Sequence, residues 1–171
     1  MSGMVRERDM NKSIYSKYVF YFFLFFSIFT LDRISKIYIL NIANNEELNI
    51  YINEFLNIIL IWNTGIGFGL LSFSDNFLYN AITFIILLIN FILIYLAVAS
   101  NSIKRILYIV ILGGSFGNLF DRFYYSAVPD FIDINFNGYH WFVFNVADIF
   151  ISIGITCLIF MEILDYKKLS K

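Results

Sequence analysis

Charge, cysteine, histidine and proline are all scarce in this sequence: 15% of its 171 residues are charged, and it holds one cysteine, one histidine and one proline. A lone Cys157 excludes an internal disulfide. With His140 as the sole histidine, there is neither a CxxC pair nor a His/Cys cluster, so zinc and haem sites are excluded and no metal or organic cofactor is expected. A formal net charge of −1 supplies no basic field to hold nucleic acid. Internal repeats, Pro/Ser-rich linkers and low-complexity tails are also missing, which argues for one domain. What is present is apolar surface. The chain is 60% hydrophobic and 20% aromatic, with a mean hydropathy of +0.74, outside the range of soluble domains. Its solvent is a lipid bilayer.

A hydrocarbon core of roughly 30 Å needs about 20 apolar residues per helix. Four such stretches can be drawn, at residues 18–40, 77–99, 103–120 and 142–164. The first follows Arg6, Arg8, Lys12 and Lys17 like the apolar region of a signal peptide, but no small-residue cleavage site succeeds it, so it reads as an uncleaved anchor. Nine of the twelve basic residues fall before span one, in the turn holding Lys104 and Arg105, or at the tail with Lys167, Lys168 and Lys171. The other three, Arg33, Lys36 and Arg122, lie within or at the end of spans, and the outer connections 41–76 and 124–141 hold no Lys or Arg. The positive-inside rule then puts both termini and the short turn in the cytoplasm. Within the connections, residues 48–62 are rich in Ile, Leu, Tyr and Phe, and Ile132, Ile134 and Phe136 alternate with Asp133, Asn135 and Asn137. Period-two alternation predicts strands. The expected fold is an all-α membrane protein: four transmembrane helices with a small outward-facing interfacial β-sheet, residues 1–171 forming a single integral membrane domain.

Ionisable residues inside a span cost about 2.5–3.5 kcal/mol each at mid-helix, so each needs a partner or a purpose. Asp32 lies roughly 21 Å into span one at the helical rise, and Lys36 follows at i+4 on the same face, as an interfacial ion pair that snorkels to water or as part of a binding site. Span three ends in Gly113-Gly114-Ser115-Phe116-Gly117-Asn118-Leu119-Phe120-Asp121-Arg122. Gly113 and Gly117 have the spacing of a close helix contact. Asn118, Asp121 and Arg122, at i, i+3 and i+4, are expected to share one face, either as a structural network or as a site. Asp148, about 9 Å below the outer surface if its helix starts near Phe142, has no cation near it in sequence. It is either paired with Arg122 or Lys36 across the bundle or kept partly protonated by desolvation, and the second case is the condition for acid–base chemistry. Asp130 directly follows Pro129, with Asp133 as a rival, and spacing does not choose between them. Two carboxylates that meet share a proton, one serving as base on water and the other as acid.

Other residues read more plainly. His140, Trp62 and Trp141 suit an interfacial belt, Cys157 a small apolar filler, and Glu162 the cytoplasmic water. The stretch Asn63-Thr64-Gly65-Ile66-Gly67-Phe68-Gly69 lacks a following Lys-Ser/Thr and is no phosphate loop.

Together these segments resemble the lipoprotein signal peptidase (signal peptidase II) family from about Tyr18 to Leu164. Five pieces match in order: Asp32 with Lys36; Asn63-Thr64-Gly65 with Phe68-Gly69; Gly117-Asn118 with Asp121-Arg122; Asp130-Phe131-Ile132; and Phe144-Asn145-Val146-Ala147-Asp148. The resemblance implies an aspartic endopeptidase of the bacterial cytoplasmic (inner) membrane, active at the outer face, which cleaves diacylglyceryl-modified prolipoproteins before the lipidated cysteine. It implies Asp130 and Asp148 as the catalytic dyad, in preference to Asp133. Asp32, Lys36, Asn63, Gly65, Asn118, Asp121, Arg122 and Asn145 then bind substrate or support the site. Its partners would be lipid-modified prolipoproteins, membrane lipids and inhibitors of the globomycin type. Ile66-Gly67 stands where the family has small alanines, and Pro129 where a valine is common. A transporter or proton-coupled carrier is the rival class, and a scaffold without catalysis the third. Against transport, the charged residues gather at the outer end and form no path across.

Overall fold

Three helical segments are long and apolar enough to cross a membrane in the computed structural model: Phe77–Ala99, Ile103–Tyr125 and Val146–Lys167, with mean hydropathies of 2.8, 1.3 and 2.1. The structure describes residues 2–44, 48–65, 76–136 and 139–169, with side chains from Tyr15 onward. Ile66, Gly67, Phe68 and Gly69 of the glycine-rich stretch lie outside the described residues, as do the side chains of Trp141 and Lys168.

The element order is α1 (Ser2–Ala43), β1 (Asn49–Asn53), β2 (Leu56–Asn63), α2 (Asn76–Ala99), α3 (Ser102–Tyr125), β3 (Val128–Phe136), β4 (Tyr139–Phe144) and α4 (Val146–Leu169). Helix α1 contains the aromatic run of the first stretch and continues through Asp32, Arg33 and Lys36. Helix α3 is the hub, packing on α1, α2 and α4. Asn101 caps its start by accepting from the Lys104 N–H at 3.1 Å, and Ser126 ends it in the left-handed conformation. Its glycines explain the close packing. A Cβ on Gly113 would press on Ile28 of α1, one on Gly117 would strike the Asp32 carboxylate, and one on Gly114 would strike the Ala147 carbonyl of α4.

The two connections do form strands, and both enter one antiparallel sheet of order β1-β2-β3-β4. Leu56 faces Ile134 and Trp62 faces Pro129 across β2 and β3, while β4 pairs with β3 only from Ile132 onward. Pro129 therefore sits where β3 is an edge, the position in a sheet that tolerates a residue without an N–H.

Several boundaries differ from expectation. Helix α3 runs past Phe120 to Tyr125 and carries Asp121 and Arg122 with it. The last stretch does not begin as helix at Phe142: Phe142, Val143 and Phe144 belong to β4, and α4 starts at Val146. A continuous apolar run cannot by itself separate a strand from the helix that follows it. Cys157 is exposed on the outside of α4 and fills no core.

Candidate active site

Asn145, between β4 and α4, is the N-cap residue of α4 and the joint between two carboxylates. Its Oδ1 accepts the Asp148 N–H at 3.1 Å, and the Asp148 carboxylate accepts the Asn145 N–H at 3.2 Å, a reciprocal capping box at the helix start. With Oδ1 committed to the cap, the amide nitrogen points away and donates to Asp130 Oδ1 at 2.6 Å. One buried asparagine thus holds a strand carboxylate and a helix carboxylate at a fixed separation.

The second oxygen of Asp130 accepts from Asn63 Nδ2 at 2.9 Å. Asn63 is oriented in the same manner, because its own Oδ1 accepts the Gly65 N–H at 2.8 Å and closes a turn at the end of β2. The Gly65 carbonyl in turn accepts from Arg122 Nη2, tying the turn to α3. Asp148 is held on its other side by Asn118 Nδ2 at 2.8 Å. Burial, and after it the negative charge of Asp148, pushes the Asp130 carboxyl up to about 7, against the pull of the Asn145 and Asn63 donors.

Behind Asn118 lies a cluster of opposite character. Lys36 Nζ reaches Asp32 at 2.9 Å, Asn118 Oδ1 at 2.7 Å and Asp121 at 2.7 Å, and Arg33 pairs with both of the same carboxylates at 3.2 and 2.5 Å. Asp32, Lys36 and Asp121 are fully buried, so the expected Asp32–Lys36 pair exists but does not snorkel to water. An ammonium only donates, so it fixes the Asn118 carbonyl toward itself and the Asn118 amide toward Asp148. Asp32 does more. Its Oδ1 accepts the Ala147 N–H at 3.0 Å, so a carboxylate on α1 satisfies one of the open N–H groups at the start of α4.

The sequence-derived site residues divide cleanly. Asp130, Asp148, Asn63, Asn118, Arg122 and Asn145 line one cavity of about 410 Å³ between the sheet and α2, α3 and α4. Asp32, Lys36 and Asp121 stand behind it, and Gly65 beside it. Of the two readings left open for Asp148, the pairing with a cation is not seen: it is in hydrogen-bond contact with neither Lys36 nor Arg122, because Asn118 stands between it and the lysine. Asn118 lies between its two expected neighbours: it shares Lys36 with Asp121 and the cavity with Arg122, whose long side chain reaches Gly65 and lies over the Tyr79 ring, while Tyr79 Oη donates to the Arg122 carbonyl at 3.1 Å. Arg122 Nε and Nη1 are buried and have no hydrogen-bond partner among the described residues. Asp133 is fully buried elsewhere on the sheet, accepting from Asn57 at 3.1 Å with His140 Nδ1 at 2.8 Å. Arg33, Asn57 and Tyr79 were not singled out by the sequence. For Arg33 the signal was available, since it stands beside Asp32 in the same costly stretch.

A family profile described as Signal peptidase (SPase) II matches residues 24–164. The chain belongs to the signal peptidase II family. Among similar proteins, the lipoprotein signal peptidase of Pelagibacter ubique is 48% identical, covering 90% of this chain and 93% of the relative. That of Anaplasma phagocytophilum is 38% identical over 77% of this chain and 84% of its own. A bacterial membrane enzyme solved by the in meso method at 2.3 Å superposes with a TM-score of 0.71 at 28% identity, covering 86% of this chain and 90% of that one. As a signal peptidase II family member the protein is a peptidase, and within the family fold the carboxylate pair and its asparagine supports all fall inside the matched residues.

Proposed function

We propose that this signal peptidase II family member removes signal peptides from diacylglyceryl-modified prolipoproteins, cutting before the lipidated cysteine, with Asp130 and Asp148 as an aspartic dyad. The observation that carries the reading is the pair itself: two buried carboxylates joined through Asn145, hydrogen-bonded among the described residues to amides and an N–H, on the wall of a cavity. In such a pair a single shared proton is the stable state near neutral pH, since two close carboxylates resist ionising together. One carboxylate takes a proton from water as it attacks the scissile carbonyl. The other gives its proton to the carbonyl oxygen, and the departing amine is protonated as the tetrahedral intermediate collapses. Nε and Nη1 of Arg122, without a partner among the described residues, offer donors to backbone carbonyls of an extended substrate.

Below the dyad the cavity is apolar, walled by Ile86 and Ile89 of α2 and Ile151 and Ile155 of α4. That lining suits the lipid on the substrate cysteine and sets the height of the peptide, which serves proximity and orientation. Helix α1 is the fourth membrane span in this reading, both termini are cytoplasmic, the site faces outward, and the membrane is the bacterial inner membrane. The distribution of Lys and Arg supports that orientation. Membrane lipids surround the single domain, and cyclic peptides of the globomycin type are expected to compete for the cavity.

The test is cleavage of a diacylglyceryl-modified prolipoprotein by the purified protein in lipid, beside the Asp148→Asn variant with a matched unfolding curve. Cleavage by the wild type and none by the folded variant is the expected result. A folded wild type that cuts nothing returns the transporter and scaffold readings.

A further inference from the structure

Two side chains in the apolar part of the cavity do not fit a purely apolar role. Ser115 of α3 and Ser152 of α4 both line it, among Ile86, Ile89, Ile151 and Ile155. Polar side chains on a membrane helix ordinarily satisfy themselves on the preceding turn, as Thr83 does on the Tyr79 carbonyl at 3.0 Å and Asn90 on the Ile86 carbonyl at 2.8 Å. Ser115 and Ser152 make no such bond, nor any other hydrogen bond among the described residues. Neither oxygen is sealed off from the cavity, so each hydroxyl is open to a polar group of a ligand that enters it.

Their level in the bundle is defined. Ser115 precedes Asn118 by three residues on the outward-running α3, and Ser152 follows Asp148 by four on the inward-running α4, so by helical rise they lie about 4.5 and 6 Å below those side chains. Gly114 brings the two helices together at this height, since its missing Cβ would press on the Ala147 carbonyl and on Ile151. The two hydroxyls therefore face one cavity from adjoining walls, one step below the dyad. The ester carbonyls of a thioether-linked diacylglycerol hang a few covalent bonds below the cysteine sulfur and accept hydrogen bonds without donating any. A hydroxyl is the matching donor.

We propose that Ser115 and Ser152 form a polar notch that reads the ester carbonyls of the substrate lipid, so that the cavity selects diacylglyceryl over an ether-linked dialkylglyceryl of the same length. The inference rests on the prolipoprotein peptidase reading above and adds to it a specificity device. A site built to hydrogen-bond a group discriminates against an analogue that lacks it.

The experiment compares kcat/KM for two synthetic lipopeptides that differ only in ester or ether linkage, using the full-length protein in lipid and the double variant Ser115→Ala with Ser152→Ala. Wild type is expected to prefer the ester substrate by about three- to tenfold for each hydroxyl engaged. The double variant should lose that preference by slowing on the ester substrate alone. Its unfolding curve should match wild type or lie above it, because the removed hydroxyls had no partner. Equal cleavage of both substrates by wild type, or an unchanged preference in the variant, overturns the notch while leaving the peptidase reading intact. Cleavage of neither substrate by the folded wild type overturns both.

Discussion

Two acid clusters sit side by side in this bundle and are stabilised in opposite ways. Asp32 and Asp121 are met by Lys36 and Arg33, two carboxylates against two cations. Asp130 and Asp148 are met by asparagine amides and one backbone N–H, with no cation in contact among the described residues. A cation favours the charged form of the carboxylate it pairs with, whereas a neutral amide steadies the carboxylate's position without adding a charge to hold it ionised. The first arrangement is a joint among α1, α3 and α4. The second is a titratable pair, and its geometry is held by the first through Asn118 and Ala147.

If that division holds, the largest effect on activity comes from the pair that lacks cations. Asp130→Asn or Asp148→Asn should lower turnover by about 10³-fold or more while the protein still unfolds cooperatively in lipid. Asp133→Asn, which changes a carboxylate bound to Asn57 and His140 on another part of the sheet, should leave turnover within a few-fold of wild type. Loss of turnover in Asp133→Asn with retention in Asp130→Asn would reverse the assignment. The converse prediction concerns the joint. Lys36→Met leaves Asp32 and Asp121 short of a cation in a fully buried place, and breaking a buried pair in this way costs about 3–5 kcal/mol. A large fall in unfolding temperature is therefore expected for Lys36→Met and not for the dyad variants. A Lys36→Met protein as stable as wild type would remove the distinction between the clusters.

How much of this was written in the sequence differs from residue to residue. The strands were legible, since Ile132, Ile134 and Phe136 alternate with polar neighbours, but β4 was hidden because Phe142 to Phe144 run without a break into the apolar start of α4. Asp32 and Lys36 were rightly paired by helical spacing alone. The same rule put Arg122 on the cavity with Asn118, but spacing places the Cβ and says nothing of where a long guanidinium side chain ends when a carbonyl at Gly65 and a ring at Tyr79 lie within reach. The split role of Asn145 was out of reach as well. It depends on a helix start at Val146 meeting β3, a contact that joins residues from separate elements. Between Asp130 and Asp133 the residues offered no choice, and only the family resemblance favoured Asp130.

The pH behaviour sharpens the comparison further. With its carboxyl raised from the ordinary 3.8 to about 7, folded Asp130 holds a proton that the unfolded chain has already released. Between those two values the folded state binds more protons, so this group's contribution to stability is whole below pH 4 and declines as pH rises through 7. The upper bound of the change is about 4 kcal/mol at 1.36 kcal/mol per pH unit. Asp130→Asn does not titrate, so the unfolding temperature of wild type should fall relative to this variant as pH is raised from 4 to 8. Wild-type turnover should weaken above about pH 7 over the same range, as the shared proton is lost. A difference in unfolding temperature that does not change with pH would mean that the Asp130 carboxyl is not the proton-holding group.

A smaller effect tests how the two clusters are mechanically linked. Gly117 lies where α3 crosses Asp32, and a Cβ there would strike the carboxylate that also bonds the Ala147 N–H. Overpacking of this kind typically costs about 1–3 kcal/mol, so Gly117→Ala should fold with a modest loss of stability. The methyl group displaces Asp32 from α4, and with it the start of the helix that carries Asp148. Turnover should fall more than stability does, whereas Gly154→Ala, which presses on Ile111 deeper between α3 and α4, should lower stability by a similar amount with less effect on turnover. Equal loss of turnover in the two variants would show that the charged joint merely adds stability. A larger loss in Gly117→Ala would show that the cluster held by cations sets the geometry of the cluster that lacks them.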